Sequence, residues 1–331
     1  MHKVIVIGSN SFSGSHFVDI LLKKKFRVFG VSRSKEYDSV FLPYKKNKNI
    51  NLFKFYKKNL VNNQDQKFII NLIKKNKINY VVNFASQGMV SESFLNPNDW
   101  YQTNTLSQIN FFEKLKKINL IKYVHITTPE VYGENVSLLN EKTYFNPSTP
   151  YAISRACADF HLKAICKYYN FPVVFTRAAN VYGPNQQLYR IIPKSIIMML
   201  LSKKINIHGG GKSLRSFVHI KDVSDGYFRV MKKGLIGETY HLSGKEFISI
   251  KSLVYKIAKL LNKNFYKHTI MDKHERLGKD SSYKLSSKKI YKELGWKAHI
   301  KIQDGIIDTI NWIKNDFNKL KRKKLEYIHK K

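Results

Sequence analysis

The sequence predicts an α/β protein, with a doubly wound parallel sheet in the first half and a smaller α/β lobe behind it. Three observations carry this expectation. Short β-rich apolar runs alternate with longer helical patterns, a glycine-bounded turn follows the first run, and beyond Arg177 the alternation loosens into turn-rich segments. Val4–Ile7, Val28–Val31, Asn51–Phe55, Tyr80–Asn83, Tyr123–Thr127 and Val173–Arg177 read as strands, and Gly14–Lys24, Gln66–Lys75, Trp100–Lys117 and Tyr151–Tyr169 as helices. Such alternation implies parallel strands joined by right-handed crossovers, with helices covering both faces. Ligands of these sheets sit at the carboxyl ends of the strands. The later segments Ser216–Ile220 (strand), Ile250–Leu261 and Gln303–Lys314 (helices) build the second lobe. The expected division is residues 1–177, then 178–318 interleaved with the first part near 214–245, then a basic tail over 319–331. With no flexible linker between the lobes, the cleft between them is the expected binding site.

The chain has 331 residues, of which 43% are apolar, enough for a substantial core. No apolar run approaches the roughly 20 residues of a membrane span, and the first residues lead directly into a strand, so a cytoplasmic protein is expected. Cys157 and Cys166 lie nine apart on one helix and are expected to be reduced core residues, with neither disulfide nor metal site. The net charge of +36 arises from lysines scattered along the whole chain. It reads as a solvated surface without a dedicated nucleic-acid partner. The tail Lys319–Lys331 reads as a frayed, solvated helix end.

At the first strand end, Gly8-x-x-Ser11-Phe12-x-Gly14 lets a pyrophosphate approach backbone N–H groups and a helix N-terminus. Ser11 replaces a glycine there, so it must hold an ordinary backbone angle or bond phosphate through its hydroxyl. After the second strand, Ser32-Arg33-Ser34 stands where a carboxylate would bond the adenosine ribose of NAD. The absent carboxylate and the Arg33 fork favour NADP+ within an NAD(P)+ reading. Tyr151 and Arg155 share a helix face at i, i+4. A cation held there lowers the phenol's pKa, so the tyrosinate can take a hydroxyl proton while hydride leaves for a nicotinamide.

Taken together, Gly8–Gly14, Asn83-Phe-Ala85, Asn104, Thr127-Thr-Pro-Glu-Val-Tyr-Gly133, Tyr151-x-x-x-Arg155, Arg177–Pro184, Arg215–Asp222 and Arg276–Asp280 occur in the order seen in extended short-chain dehydrogenases acting on nucleotide sugars. The resemblance runs from Met1 to about Trp312 and is nearest to the dTDP-glucose 4,6-dehydratase type. It implies a Rossmann fold, a homodimer, a nucleotide-sugar substrate, and a cofactor site of Gly8, Ser11, Phe12, Gly14, Arg33, Asn59, Leu60, Ala85, Asn104, Tyr151 and Arg155. By the same resemblance Asn180, Arg215 and Arg276 contact the substrate diphosphate, and Ile192 and Pro193 the base. Asp222 is expected to cap the following helix, and Tyr182 and Phe217 to pack.

Two departures from the family pattern bear on the chemistry. Arg155 replaces the usual lysine, and Thr128-Pro129-Glu130 lacks the aspartate that the resemblance assigns to protonating the leaving hydroxyl. Glu130 remains. With Tyr151, Arg155 and Thr128 it gives a 4,6-dehydratase: oxidation at carbon 4, loss of water across carbons 5 and 6, and hydride return to carbon 6. A 4-epimerase, a UDP-glucuronate decarboxylase and a non-catalytic NADP(H)-binding protein stay open as alternatives.

Overall fold

A computed structural model describes residues 2–134, 137–274, 278 and 284–329. Arg276 therefore lies outside the described residues. The first strand, β1 (Lys3–Ile7), leads through Gly8 into α1 (Phe12–Lys23). Ser11 caps this helix by accepting from the Gly14 N–H at 3.1 Å. The chain continues through β2 (Arg27–Ser32), β3 (Phe53–Lys57), α2 (Asn63–Asn76) and β4 (Tyr80–Asn83). The third strand starts two residues later than expected, because residues 50–52 wind into a 3₁₀ turn.

The segment expected as one helix over 100–117 is interrupted. Helices α3 (Val90–Leu95), α4 (Pro97–Tyr101) and α5 (Ser107–Leu115) appear instead, with a π turn over Gln102–Leu106 joining the last two. A π turn rotates the residues it carries relative to the flanking helix. It delivers Asn104 into the interior, where it is fully buried. Next come β5 (Lys122–Thr127), the two-residue β6 (Leu138–Leu139), and α6 (Pro150–Tyr169). Thr149 caps α6 and Pro150 occupies its first turn, where a missing N–H costs nothing.

The strands β7 (Val173–Ala178) and β8 (Asn180–Tyr182) enter the second half. There α7 (Ile191–Leu200), β9 (Ile205–Ile207), β10 (Leu214–His219), α8 (Ile220–Lys233), β11 (Thr239–Leu242), β12 (Phe247–Ser249) and α9 (Ile250–Leu260) follow. The described chain closes with β13 (Thr269–Met271), β14 (Lys284–Leu285), α10 (Lys288–Leu294), α11 (Ile302–Asn315) and the short α12 (Phe317–Leu320).

Seven strands form one parallel sheet in the order β11-β7-β5-β4-β1-β2-β3. The strand order reverses between β1 and β4, and this opens a crevice at their carboxyl ends. Apolar clusters fill both faces of the sheet, one including Val4, Val6, Val28, Val82 and Val124, the other Ile5, Ile7, Val31, Val81 and Tyr123. A third cluster, including Ile196, Leu253, Ile257, Ile306 and Ile310, binds α7, α9 and α11 into the second lobe. This is the Rossmann-type fold the sequence implied.

Three expectations need correction. Cys157 is exposed and Cys166 partly so, because they lie toward the outer side of α6; both are free thiols. Asp222 does not cap α8, whose cap is His219; its carboxylate instead accepts the N–H groups of His299 and Ile300, at 3.1 and 3.0 Å, and fastens that loop. Residues 321–329 are not a frayed helix end. Leu325 packs on the second-lobe core, Lys323 pairs with Asp38 at 3.0 Å, and His329 stacks on Trp100 with ring centroids 5.3 Å apart. No helix among the described residues is long and apolar enough to cross a membrane.

Buried histidines make this fold sensitive to acid. Burial lowers His219 and His16 from 6.5 to about 4 and holds His241 well below its ordinary value. The unfolded chain then binds more protons than the folded one between roughly pH 6.5 and 4, so stability falls as the pH drops through that window. His219 alone is worth on the order of 3 kcal/mol at the acid end. Melting temperatures should decline steadily from pH 7 towards pH 4, and a flat profile would refute this assignment.

Candidate active site

A cleft of about 1210 Å³ opens between the sheet's carboxyl edge and the second lobe. Its wall takes Ser11 and Phe12 from the start of α1, Arg33 from the end of β2, Thr128 and Glu130 from the end of β5, and Tyr151 and Arg155 from α6. The second lobe contributes Asn180, Ile192 and Arg215. These are the sequence-derived candidates that the fold brings onto one surface.

The candidate catalytic group is built on two elements. After β5, Thr128 caps a 3₁₀ turn over Pro129–Tyr132 by accepting from the Glu130 N–H at 3.3 Å. Pro129 is buried within this turn and Glu130 projects into the cleft. Across from it, Tyr151 lies in the first turn of α6. Burial raises its phenol pKa, and the Arg155 charge and a hydrogen bond with Thr128 pull it back; Glu130 is near enough to push it up again. Phenol, hydroxyl, guanidinium and carboxylate thus share one electrostatic neighbourhood.

Arg155 is buried and donates from Nη2 to the Ile126 carbonyl, while its Nε and Nη1 are buried with no partner within the protein. Unpaired buried donors beside Tyr151 are what a ribose hydroxyl pair would satisfy. The glycine turn gives the same indication. Gly8 has φ +82° and a Cβ there would stand 2.9 Å from the Ala85 nitrogen, while a Cβ on Gly14 would overlap the Gly8 carbonyl oxygen. Backbone packed this closely at a helix N-terminus leaves room for a pyrophosphate. These residues fit a dinucleotide. Gly14→Ala should abolish dinucleotide binding and lower the melting temperature, which a titration and a thermal scan would test; unchanged binding would contradict the packing.

Behind the dyad lies a buried polar network. Asp159 Oδ2 accepts from Arg177 at 2.6 Å and Thr127 at 3.0 Å, and its Oδ1 stands 3.3 Å from His125 Nε2. Desolvation opposes ionisation of Asp159, but Arg177, His125 and Arg155 outweigh it and hold its pKa at about 2. The network supplies the counter-charge that two buried guanidiniums require.

Asn104, Ala85, Asn59, Leu60 and Pro193 do not line the cleft, and several candidates on and off its wall brace the fold. Asn104 is a brace: its amide oxygen accepts from the Gln87 N–H at 2.7 Å, and its nitrogen reaches the Gln87 carbonyl and the Ser154 hydroxyl. Ala85 donates to Asn83 Oδ1 at 2.9 Å. Asn59 receives the Val61 N–H on its side chain and gives its own N–H to Asp65, and Leu60 is buried under the sheet. Ile192 and Pro193 are both buried in α7, and only Ile192 lines the cleft. Asn180 donates to the Ser216 carbonyl at 3.3 Å, joining β8 to β10. Tyr182 and Phe217 pack edge to face, as expected of core aromatics.

Sequence reasoning missed Gln87, Arg190, Tyr327 and His329. Arg33 Nη2 donates to Gln87 Oε1 at 2.9 Å, and Gln87 Nε2 meets His329 Nδ1 at 3.1 Å. Arg190 immediately precedes α7, lies over the Tyr189 ring, and its charge acts on the Tyr151 phenol. Its position two residues before Ile192, a residue the resemblance assigns to the base, was the available signal. The aromatic residues in an otherwise cationic tail were the signal for the other two.

Comparison with known proteins fits this geometry. The family described as GDP-mannose 4,6 dehydratase matches residues 5–309. The chain belongs to that family. Human dTDP-D-glucose 4,6-dehydratase is 30% identical over 244 residues, spanning 72% of this chain and 69% of that protein. Among solved structures, the dTDP-glucose 4,6-dehydratase of Bacillus anthracis in complex with NAD superposes with a TM-score of 0.83 at 27% identity, covering 96% and 98% of the two chains. The UDP-glucuronic acid 4-epimerase of Bacillus cereus, with UDP-glucuronic acid and NAD, gives 0.84 at 25%, covering 95% and 99%. Both a dehydratase and an epimerase are thus built on a scaffold similar to this one.

Proposed function

We propose that this protein is an NDP-hexose 4,6-dehydratase. The observation that carries the reading is the Glu130 carboxylate standing in the cleft beside Tyr151. Epimerisation at carbon 4 needs one base for a hydroxyl, whereas elimination needs a second base for a C–H. When bound, NAD(P)+ supplies hydride acceptance at carbon 4 and hydride return at carbon 6. Tyr151 takes the proton from the carbon 4 hydroxyl, and Arg155 and Thr128 stabilise its phenolate. The resulting ketone acidifies carbon 5, and Glu130 removes that proton. With Pro129 in the neighbouring position, Glu130 itself hands the proton to the departing carbon 6 oxygen, so water leaves and the carboxylate is restored. Hydride addition at carbon 6 is matched by a solvent proton at carbon 5, and Tyr151 returns the carbon 4 hydroxyl proton to solvent, so the product is a 4-keto-6-deoxy sugar nucleotide and both side chains are restored.

Gly8, Ser11, Phe12, Gly14, Arg33, Tyr151 and Arg155 form the cofactor groove in this reading, with Asn59, Leu60, Ala85 and Asn104 as its backing. Asn180, Arg215 and Arg276 take the substrate diphosphate, and Ile192 takes the base, with Pro193 as packing behind it. Arg33, following a Ser32 whose hydroxyl accepts the Asn10 N–H at 3.0 Å, supports NADP+ over NAD+. Paired titrations with the two cofactors test this: Arg33→Ala should weaken NADP+ and spare NAD+, and equal losses would refute the preference.

The outward side of α6 carries Ile153, Cys157 and Phe160 at helical spacing, with Leu106 exposed nearby in sequence to α5. This apolar stripe supports a homodimer through these helices. The reaction itself is tested by incubating the protein with dTDP-, UDP-, GDP- and CDP-hexoses and either cofactor. A product lighter by one water is expected. An isomer of unchanged mass would make the protein an epimerase.

A further inference from the structure

The last described residues cross the mouth of the cleft and are fastened on both sides. Lys323 pairs with Asp38, on the segment after β2, and Leu325 sits on the second-lobe core. Tyr327 packs edge to face on Tyr189, with centroids 5.4 Å apart. Beyond it, His329 stacks on the buried Trp100 at an interplanar angle of 8° and its Nε2 lies 2.6 Å from Asp99 Oδ2. Its other ring nitrogen meets Gln87, which also receives the Arg33 guanidinium. Lys323, Lys324, Glu326 and Tyr327 line the same cleft as the glycine turn and Tyr151.

We propose that residues 321–329 are a strap that closes the dinucleotide groove and retains the cofactor between turnovers, with His329 as its latch. This rests on the dinucleotide reading above. The strap joins the two lobes across the opening. A dinucleotide seated from the glycine turn to Tyr151 lies beneath it and leaves only after the latch opens. Lysines on the strap add positive charge over the pyrophosphate. Retention suits a reaction in which the hydride taken from the sugar returns to it, because an open groove would release reduced cofactor mid-cycle. Opening requires loss of the ring stack, the Asp99 pair and the Gln87 contact together, so its cost appears in the dissociation rate.

The test uses the full chain, His329→Ala, and a chain ending at Leu320. Each is loaded with NADH or NADPH and chased with excess oxidised dinucleotide, and release is followed by nicotinamide fluorescence. Release should be about tenfold faster or more in both variants, with melting temperatures near that of the full chain. In the full chain, the dinucleotide should also protect Lys321–Lys324 from trypsin. Equal release rates with binding intact would overturn the strap alone. Binding by the shortened chain but not the full chain would overturn it differently, making the segment a plug. Failure of both chains to bind either dinucleotide would remove the cofactor reading and the strap with it.

Discussion

Glu130→Gln is expected to leave a protein that oxidises its nucleotide sugar at carbon 4 but delivers almost no dehydrated product. The amide preserves the volume of the side chain, so the 3₁₀ turn capped by Thr128 should keep its shape. It cannot take a proton from carbon 5. General-base catalysis by a positioned side chain is worth about 10²–10⁴-fold, and turnover should fall by that factor. Two readouts separate this from misfolding: reduced nicotinamide should accumulate on adding substrate, and exchange of the carbon 5 proton with deuterated solvent should disappear. Retained elimination in this variant would assign the carbon 5 base to another residue.

Tyr151→Phe should act earlier. Without the phenol no group accepts the carbon 4 proton, so oxidation, exchange and dehydration should fall together, again by about 10²–10⁴-fold. Nucleotide-sugar affinity should change little, because Asn180 and Arg215 are on the second lobe. Arg155 supports this phenol from one helical turn away, opposing the burial that raises its pKa. Arg155→Met should therefore move the alkaline rise of kcat/KM to higher pH, and Arg155→Lys should restore it by returning the charge. A pH profile identical in the Met variant and the native protein would contradict this role.

The sheet and the placing of Tyr151 beside Arg155 in the cleft were legible because both rest on local signals. Apolar runs of strand length alternate with helices, and Tyr151 and Arg155 are separated by one turn of the same helix. Glu130 was legible for a similar reason, lying two residues from Thr128 at a strand end. What escaped depends on distant partners. His329 meets Gln87 and Asp99 across 242 and 230 positions, and although rings stand out in a lysine-rich tail, no local pattern names Trp100 as a partner. Charge density alone suggested a solvated end, but Leu325 and two rings supplied enough apolar surface to hold it down. Asn104 was found as a residue but not as a brace, because the π turn that carries it inward has no simple sequence period. Asp222 met the pattern of a helix cap, yet its carboxylate was claimed by the N–H groups of residues 299 and 300.

The measurement that bears most directly on the account follows the hydrogen on carbon 4. A nucleotide sugar carrying deuterium at that position should be converted to a 4-keto-6-deoxy product with the deuterium in its carbon 6 methyl group. Deuterium found back at carbon 4, in a sugar of inverted configuration and unchanged mass, would show that Glu130 is no elimination base and that the protein is an epimerase.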